Sequence, residues 1–437
     1  MTIFKQHRGA GPLLTRRTFG LLAGAGAASL ALPSYLRAQD KPRVVVIGGG
    51  AGGATAARYL AKDSDGALDV TLINNTETYT TCFFSNIYLG GYRDLQSITH
   101  GYDALVSQYG INKVTGTAVA IDRDAKTVRL EDGTDIAYDR LVVAPGIDII
   151  YDSVAGYSEE AAETAPHAWK GGPQTEILKT RLDALEDGQN IVMVTPPNPY
   201  RCPPGPYERV SMMAHVLKAK GYTQSKIFVL DPKETFSKQA LFQGGWEAHY
   251  PGMVEWYGPD VIGEIAGVDV AAGAVETGFD TFEGALLNII PAQRAGAIAI
   301  EADLVNETGF CPIDAASMKS SADENIYVIG DASIAGDMPK SGFSANSQAK
   351  VAAMNIRAEL TGSSAFPARY ANTCWSLIET DDGVKVGAQY EPAEGKITAT
   401  STFVSQPGET AELRKETYEE SVVWYDSMIA DTFGITA

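Results

Sequence analysis

Cysteine chemistry is the first possibility the chain raises. Cys202 stands in Val194-Thr-Pro-Pro-Asn-Pro-Tyr-Arg-Cys202-Pro-Pro-Gly-Pro206, with six prolines and one glycine between 196 and 206. Proline fixes φ and offers no N–H, so this loop is stiff and poor in donors. A helix is expected to begin near Glu208, and a helix start favours a thiolate. Cys202 is therefore a candidate reactive thiol, set against a merely structural cysteine. Glu208 is a candidate base in the same site, set against an ordinary acid in a first helical turn. Cys374, in Ala371-Asn-Thr-Cys374-Trp375, is a candidate partner thiol. Cys311 and Cys82 read, by composition, as small buried residues. No C-x-x-C pair and no C-x-x-C-H occurs, so neither zinc nor a c-type haem is expected on this chain.

A second constellation binds rather than reacts. Arg43-Val-Val-Val-Ile-Gly48-Gly-Gly50-Ala-Gly-Gly53 has the G-x-G-x-x-G spacing. Gly48 permits a tight turn, Gly50 lets a pyrophosphate approach the backbone, and Gly53 lets the helix pack on its strand. The helix start then offers free N–H groups and a positive dipole end to phosphates. A strand before, a helix after and a second strand ending at Asn74 complete the context. The acid that normally ends that strand is replaced by Asn74 (or Asn75), whose amide oxygen can still accept one bond. Ala144 ends another strand, in Tyr138-Asp-Arg-Leu-Val-Val-Ala-Pro-Gly146. The proline loop stands where a second fingerprint would, and its lack of glycines and N–H donors argues against a nicotinamide site.

The elements that must position these residues read as α/β. The strand of residues 43–47, helix 51–62 and strand 69–73 form one β-α-β unit, and 190–195, 208–220 and 226–230 repeat the plan. A strand at 325–330 runs into Asp331, and a helix spans 344–360. Residues 397–404 read as strand and 411–429 as helix. The expected architecture is two doubly wound dinucleotide-binding-type domains, the second inserted in the first, plus a C-terminal α+β domain. The boundaries fall at 39–150 and 271–345 for the first, 151–270 for the second and 346–437 for the last.

Residues 1–38 read as an export signal. Thr15-Arg16-Arg17-Thr18-Phe19 is a twin-arginine pattern, a Gly/Ala-rich apolar stretch follows, and Ala38 offers a cleavage site. The expected location is the periplasm. The stretch is too short for a membrane span. The whole chain carries a net charge of −19, and beyond residue 38 there remain 30 bases against 54 acids. Such a body should repel nucleic acid and anionic membranes, and suits a basic partner protein.

Specific segments carry a resemblance. Ile326-Tyr-Val-Ile-Gly330-Asp331-Ala332 resembles the second FAD motif of two-dinucleotide-domain flavoproteins, in which the aspartate binds the ribityl chain. Together with Tyr-Thr-Thr-Cys82-Phe-Phe-Ser-Asn, Arg-Cys202-Pro-Pro-Gly-Pro-Tyr-Glu208-Arg and Pro-Lys340-Ser-Gly342-Phe-Ser-Ala-Asn-Ser-Gln, it makes the chain similar to the flavoprotein subunit of flavocytochrome c sulfide dehydrogenase. The resemblance implies FAD, linked covalently through Cys82, and a redox-active Cys202–Cys374 disulfide with Glu208 in the same pocket. It implies oxidation of sulfide to sulfane sulfur or polysulfide, with electrons passed to a separate c-type cytochrome subunit. Lys340 and the helix start at Ser344, into which Pro339-Lys340-Ser341-Gly342 leads, would stabilise reduced flavin. The alternatives are a sulfide:quinone oxidoreductase, or a non-enzymatic flavoprotein that maintains sulfur-oxidation partners. The acidic 416–431 stretch makes a poor anchor for the quinone alternative.

Overall fold

The computed structural model describes residues 41–435, so the expected export signal at 1–38 lies outside the described residues. Strand β1 (Arg43–Ile47) is followed by helix α1 (Ala51–Asp63) and strand β2 (Asp69–Asn74). After a short helix α2 (Ser85–Leu89) come β3 (Asn112–Thr115) and β4 (Arg140–Val143). β1 is β-branched throughout its interior, and Val44 to Ile47 are all buried. That composition suits a parallel strand covered on both faces. Each such side chain contributes roughly 1.5–3 kcal/mol by burial.

The second unit holds β5 (Ile191–Val194), helix α3 (Gly205–Ala219), β6 (Ile227–Leu230), helix α4 (Gln239–His249), β7 (Val254–Tyr257) and β8 (Leu286–Ile289). The chain then returns to the first sheet as β9 (Ile326–Val328), followed by helix α5 (Gly342–Thr361). The first sheet runs β9-β4-β1-β2-β3 and the second β7-β6-β5-β8, each with parallel neighbours. In both sheets the strand order reverses beside the opening strand, β1 or β5. Crevices for ligands form outside the carboxyl ends of strands at such points.

Two expected boundaries shift. The second unit does not close at residue 270, because β8 pairs in register with β5, Ile191 against Leu286 and Val194 against Ile289. An antiparallel three-stranded hairpin at residues 265–283 intervenes, and a fully buried four-residue strand carries no periodicity to announce itself. Nor does a domain begin at 346. That cut would divide α5, which packs on α1, with Ala345 against Gly52. The C-terminal layer starts at β10 (Tyr370–Glu379) and continues through β11 (Asp382–Ala393), β12 (Lys396–Val404) and helix α6 (Ala411–Phe433). The three strands are antiparallel neighbours.

The helix ends follow capping chemistry. Ser341 Oγ accepts the Ser344 N–H at 3.0 Å, so α5 begins two residues earlier than its periodicity suggests. Thr410 caps α6 in the same way, accepting the Leu413 N–H at 3.2 Å. Both helices stop at a glycine in the left-handed region, Gly362 and Gly434.

Candidate functional site

Two neighbouring cavities share the residues that the sequence singled out. The larger, about 550 Å³, runs from Gly48, Gly50 and Asn74 past Tyr79, Cys82 and Ala144 to Asp331 and Gly342. Gly48 has φ +98°, and a Cβ there would stand 2.2 Å from the Ala144 carbonyl oxygen. A Cβ on Gly53 would stand 1.8 Å from the Gly48 carbonyl oxygen. Only glycine fits either position. Asn74 closes β2, and its Oδ1 accepts the Gly49 N–H at 2.9 Å while its amide N–H groups go to Thr76. The neutral residue thus braces the glycine turn itself.

Asp331 follows β9 and lines both cavities. Its Oδ2 faces Arg201 at 3.5 Å, and its buried Oδ1 has no partner among the described residues. A buried carboxylate oxygen of this kind costs free energy unless a donor reaches it. The donors of a polyhydroxyl chain would meet that need. The glycine turn and free N–H groups at the α1 start would receive phosphates. The cavity therefore fits an elongated dinucleotide.

The smaller cavity, about 80 Å³, carries the thiols. Cys82, Cys202, Cys374 and Glu208 all line it, among Phe83, Trp169, Phe343, Trp375 and Trp424. All four cysteines of the chain are free thiols here, and Cys311 is fully buried away from both cavities. Helix α3 begins at Gly205, a turn earlier than its sequence pattern suggested, which brings Cys202 next to the helix start. Cys202 takes a left-handed φ of +57°. Its carbonyl accepts the Gly205 N–H at 2.8 Å, and its own N–H donates to the Lys340 carbonyl at 2.7 Å. A Cβ on Gly205 would lie 2.8 Å from Cys202 Sγ and 3.0 Å from the Trp169 ring. Gly205 is thus what lets the sulfur sit there.

The electrostatics differ from the sequence expectation at one point. Burial pushes the Cys202 thiol well above its usual range, with the Cys374, Glu208 and Cys82 charges adding and Arg201 opposing. Desolvation outweighs the helix start, whose Gly205 N–H is already taken by the Cys202 carbonyl. Cys374 is also raised by burial, but Asn372 and Lys238 oppose that rise. Glu208 is raised by burial, against hydrogen bonds from Asn86 and the Leu377 N–H at 2.9 and 3.0 Å. A carboxyl raised in this way keeps its proton to higher pH than a free one and can pass it on.

Lys340 lines neither cavity. Its ammonium donates to the carbonyls of Asp331 and Ser333 at 2.8 and 2.7 Å, over the Phe310 ring, and burial lowers its pKa to about 8. It braces the turn that presents Asp331. Gly342 opens α5 against Phe83, which leaves no room for a Cβ.

Several contributors carried no separable sequence signal. Arg201 is buried, lines both cavities and donates to the Trp169 carbonyl. Lys238 is buried and donates to the Cys374 carbonyl and Ser376 Oγ at 3.1 and 2.9 Å. Asn372 sits two residues before Cys374, and strand alternation puts it on the same face. At the turn after β5, Lys233 donates to Thr195 Oγ1 and the Pro196 carbonyl and pairs with buried Asp231 at 2.7 Å. Internal side chains thus fill part of the second unit's crevice. Among the described residues no cluster of His, Cys, Asp or Glu is arranged to hold a metal ion, and no helix is long and apolar enough to cross a membrane.

Comparison with known proteins agrees with this geometry. Residues 175–291 match the family described as the central part of the sulfide dehydrogenase [flavocytochrome c] flavoprotein chain, and 366–433 match its flavin-binding part. Residues 42–180 match pyridine nucleotide-disulphide oxidoreductase. A sulfide dehydrogenase [flavocytochrome c] flavoprotein chain of Chlorobaculum thiosulfatiphilum is 52% identical over 44 residues, 10% of this chain and 90% of that one. A probable ferredoxin reductase of Castellaniella defragrans is 38% identical over 107 residues, 24% of this chain and 26% of that protein. A sulfide-quinone reductase of Aquifex aeolicus is 29% identical over 181 residues, 41% of this chain and 40% of that protein. The chain thus aligns with between a quarter and two-fifths of the length of these last two relatives. The fold is that of the sulfide:quinone oxidoreductase structure from Aquifex aeolicus, with TM-score 0.71 at 18% identity, covering 90% of this chain and 93% of that one. The chain accordingly belongs to the FAD-binding family of flavocytochrome c sulfide dehydrogenase flavoproteins.

Proposed function

We propose that this chain oxidises hydrosulfide to sulfane sulfur or polysulfide through a Cys202–Cys374 disulfide and passes the electrons to a c-type cytochrome subunit in the periplasm. One observation carries the reading. Cys202 and Cys374, from different units of the fold, line one small cavity that shares Cys82 and Asp331 with the FAD cavity.

Bound FAD supplies two-electron acceptance and one-electron release. The chain's own residues do the rest. Gly48, Gly50 and Gly53 would admit the pyrophosphate, Asp331 would receive the ribityl hydroxyls, and Cys82 would be the point of covalent attachment. Hydrosulfide enters the aromatic cavity and opens the disulfide, leaving one persulfide and one thiolate. Glu208, raised by burial, takes up the proton that the persulfide gives up after capture. The proline loop and the Lys233–Asp231 pair leave the second unit without a nicotinamide role. The surface of α6 supports a soluble, basic electron acceptor. Glu412, Glu416, Glu419, Glu420 and Asp426 are exposed on it, while Trp424 on the same helix lines the thiol cavity.

The test is anaerobic addition of sulfide to the FAD-loaded protein, with Cys202→Ser beside it at equal flavin content. Fast bleaching of the flavin band in the wild type and its loss in the variant is expected. A fully flavinylated wild type that does not bleach would overturn the reading.

A further inference from the structure

The two sulfurs of the thiol cavity have unequal surroundings. Asn372 is buried, and its Nδ2 donates to Cys374 Sγ at 3.3 Å. The amide is held in that orientation from behind, because Ser341 Oγ donates to Asn372 Oδ1 at 2.5 Å. Ser341 is itself the cap of α5, so the donor is fixed to a rigid helix start. Lys238 adds a buried ammonium on the Cys374 carbonyl and on Ser376 Oγ. Asn372, Cys374 and Ser376 follow one another at every second residue of β10, which turns all three toward these partners.

Cys202 has the Arg201 charge near it. Among the described residues no hydrogen bond reaches its sulfur, which lies against Gly205. The neighbouring guanidinium of Arg201 is turned to Asp331 and the Trp169 carbonyl. In thiol–disulfide exchange the better-stabilised thiolate leaves, and the nucleophile bonds to the other sulfur.

We propose that Asn372 and Lys238 are positioning residues that make Cys374 the leaving sulfur of the disulfide, so that hydrosulfide is captured on Cys202. This rests on the disulfide reading above. The step balances: HS⁻ bonds to the Cys202 sulfur, the Cys202–Cys374 S–S bond breaks, and its electron pair stays on Cys374 as a thiolate. The Cys202 persulfide keeps the incoming proton, and the disulfide is the oxidant.

The experiment is a rapid quench of the FAD-loaded, disulfide-form protein with one equivalent of hydrosulfide, anaerobically. Excess alkylating reagent blocks exchange, and peptide mass mapping locates the extra sulfur. The expected result is the added sulfur on the Cys202 peptide, with Cys374 alkylated directly. Asn372→Leu removes the donor and should lower the Cys202-to-Cys374 persulfide ratio about tenfold, as expected for a hydrogen bond to a charged sulfur. Lys238→Met should shift the ratio the same way, so the test survives if one variant fails to fold. Extra sulfur mainly on the Cys374 peptide of the wild type would overturn the proposal while leaving the disulfide reading intact. Extra sulfur on neither peptide, in a protein that still bleaches, would overturn both.

Discussion

The Cys202 N–H donates to the Lys340 carbonyl at 2.7 Å, tying the proline loop of the second unit to the residue just before the α5 cap. One bond thus sets the reactive loop against the segment that presents Asp331 and Gly342. The Lys340 ammonium meanwhile holds the Asp331 turn from the other side. Perturbing either side of this junction should separate flavin binding from sulfur chemistry.

Gly205→Ala tests the sulfur side. Its new Cβ would meet Cys202 Sγ at 2.8 Å and displace it. The glycine cradle is untouched, so flavin content should match the wild type. A displacement near 1 Å in a reacting group costs about 10²-fold in rate. Stopped-flow bleaching by sulfide is the measurement, and an unchanged rate would count against Cys202.

Asp331→Ala tests the flavin side. It removes the buried Oδ1 that lacks a protein partner and leaves Arg201 without its 3.5 Å carboxylate. Loss of a charged hydrogen bond of about 1.5–3 kcal/mol predicts roughly 10- to 100-fold weaker FAD binding. Because a covalent link would mask this, Asp331→Ala should be combined with Cys82→Ser and titrated with FAD.

Cys82→Ser alone asks about that link. Cys82 lines both cavities, so its sulfur has access to either. After acid precipitation the flavin should stay with the wild-type polypeptide and enter the supernatant from the variant. Yellow supernatant from both would show that the flavin is held without a covalent bond.

Glu208→Gln carries a pH prediction. The folded-state pKa of Glu208 is raised by burial. The folded protein therefore holds this proton at pH values where the unfolded chain has lost it. That contribution to stability is complete below the unfolded carboxylate pKa and is lost as pH rises through the folded value. Relative to wild type, Glu208→Gln should gain stability as pH rises above the unfolded carboxylate value of about 4, read by a series of urea unfolding curves starting below it. Its sulfide reaction should also lose the pH dependence contributed by this carboxyl.

The parts of this molecule that announced themselves in sequence are those with strict local requirements. Gly48, Gly50 and Gly53 admit no side chain, β1 is a run of buried Val and Ile, and six prolines exclude a donor-rich turn. Such constraints are written in one short segment each. The contributions of Lys238, Arg201 and Asn372 were not legible, because each depends on a contact across the fold. Lys238 reaches Cys374 across 136 positions of chain, and Ser341 reaches Asn372 across 31. β8 was missed for the opposite reason: four buried residues have no period to read. The twist at Cys202 was legible in part, since the helix start was expected, yet burial, the largest cause of its raised thiol, comes from the fold.

The anchoring of the two thiols has a consequence for turnover. Cys202 is fixed at its N–H and its carbonyl, and Cys374 lies within a paired strand opposite Val386 with Lys238 on its carbonyl. With both backbones held in this way, the bond proposed between the sulfurs would be made and broken by movement of the side chains. On the proposed disulfide chemistry, such a site would reset between cycles without a hinge, and its pace would be left to the arrival of small anions and the departure of electrons.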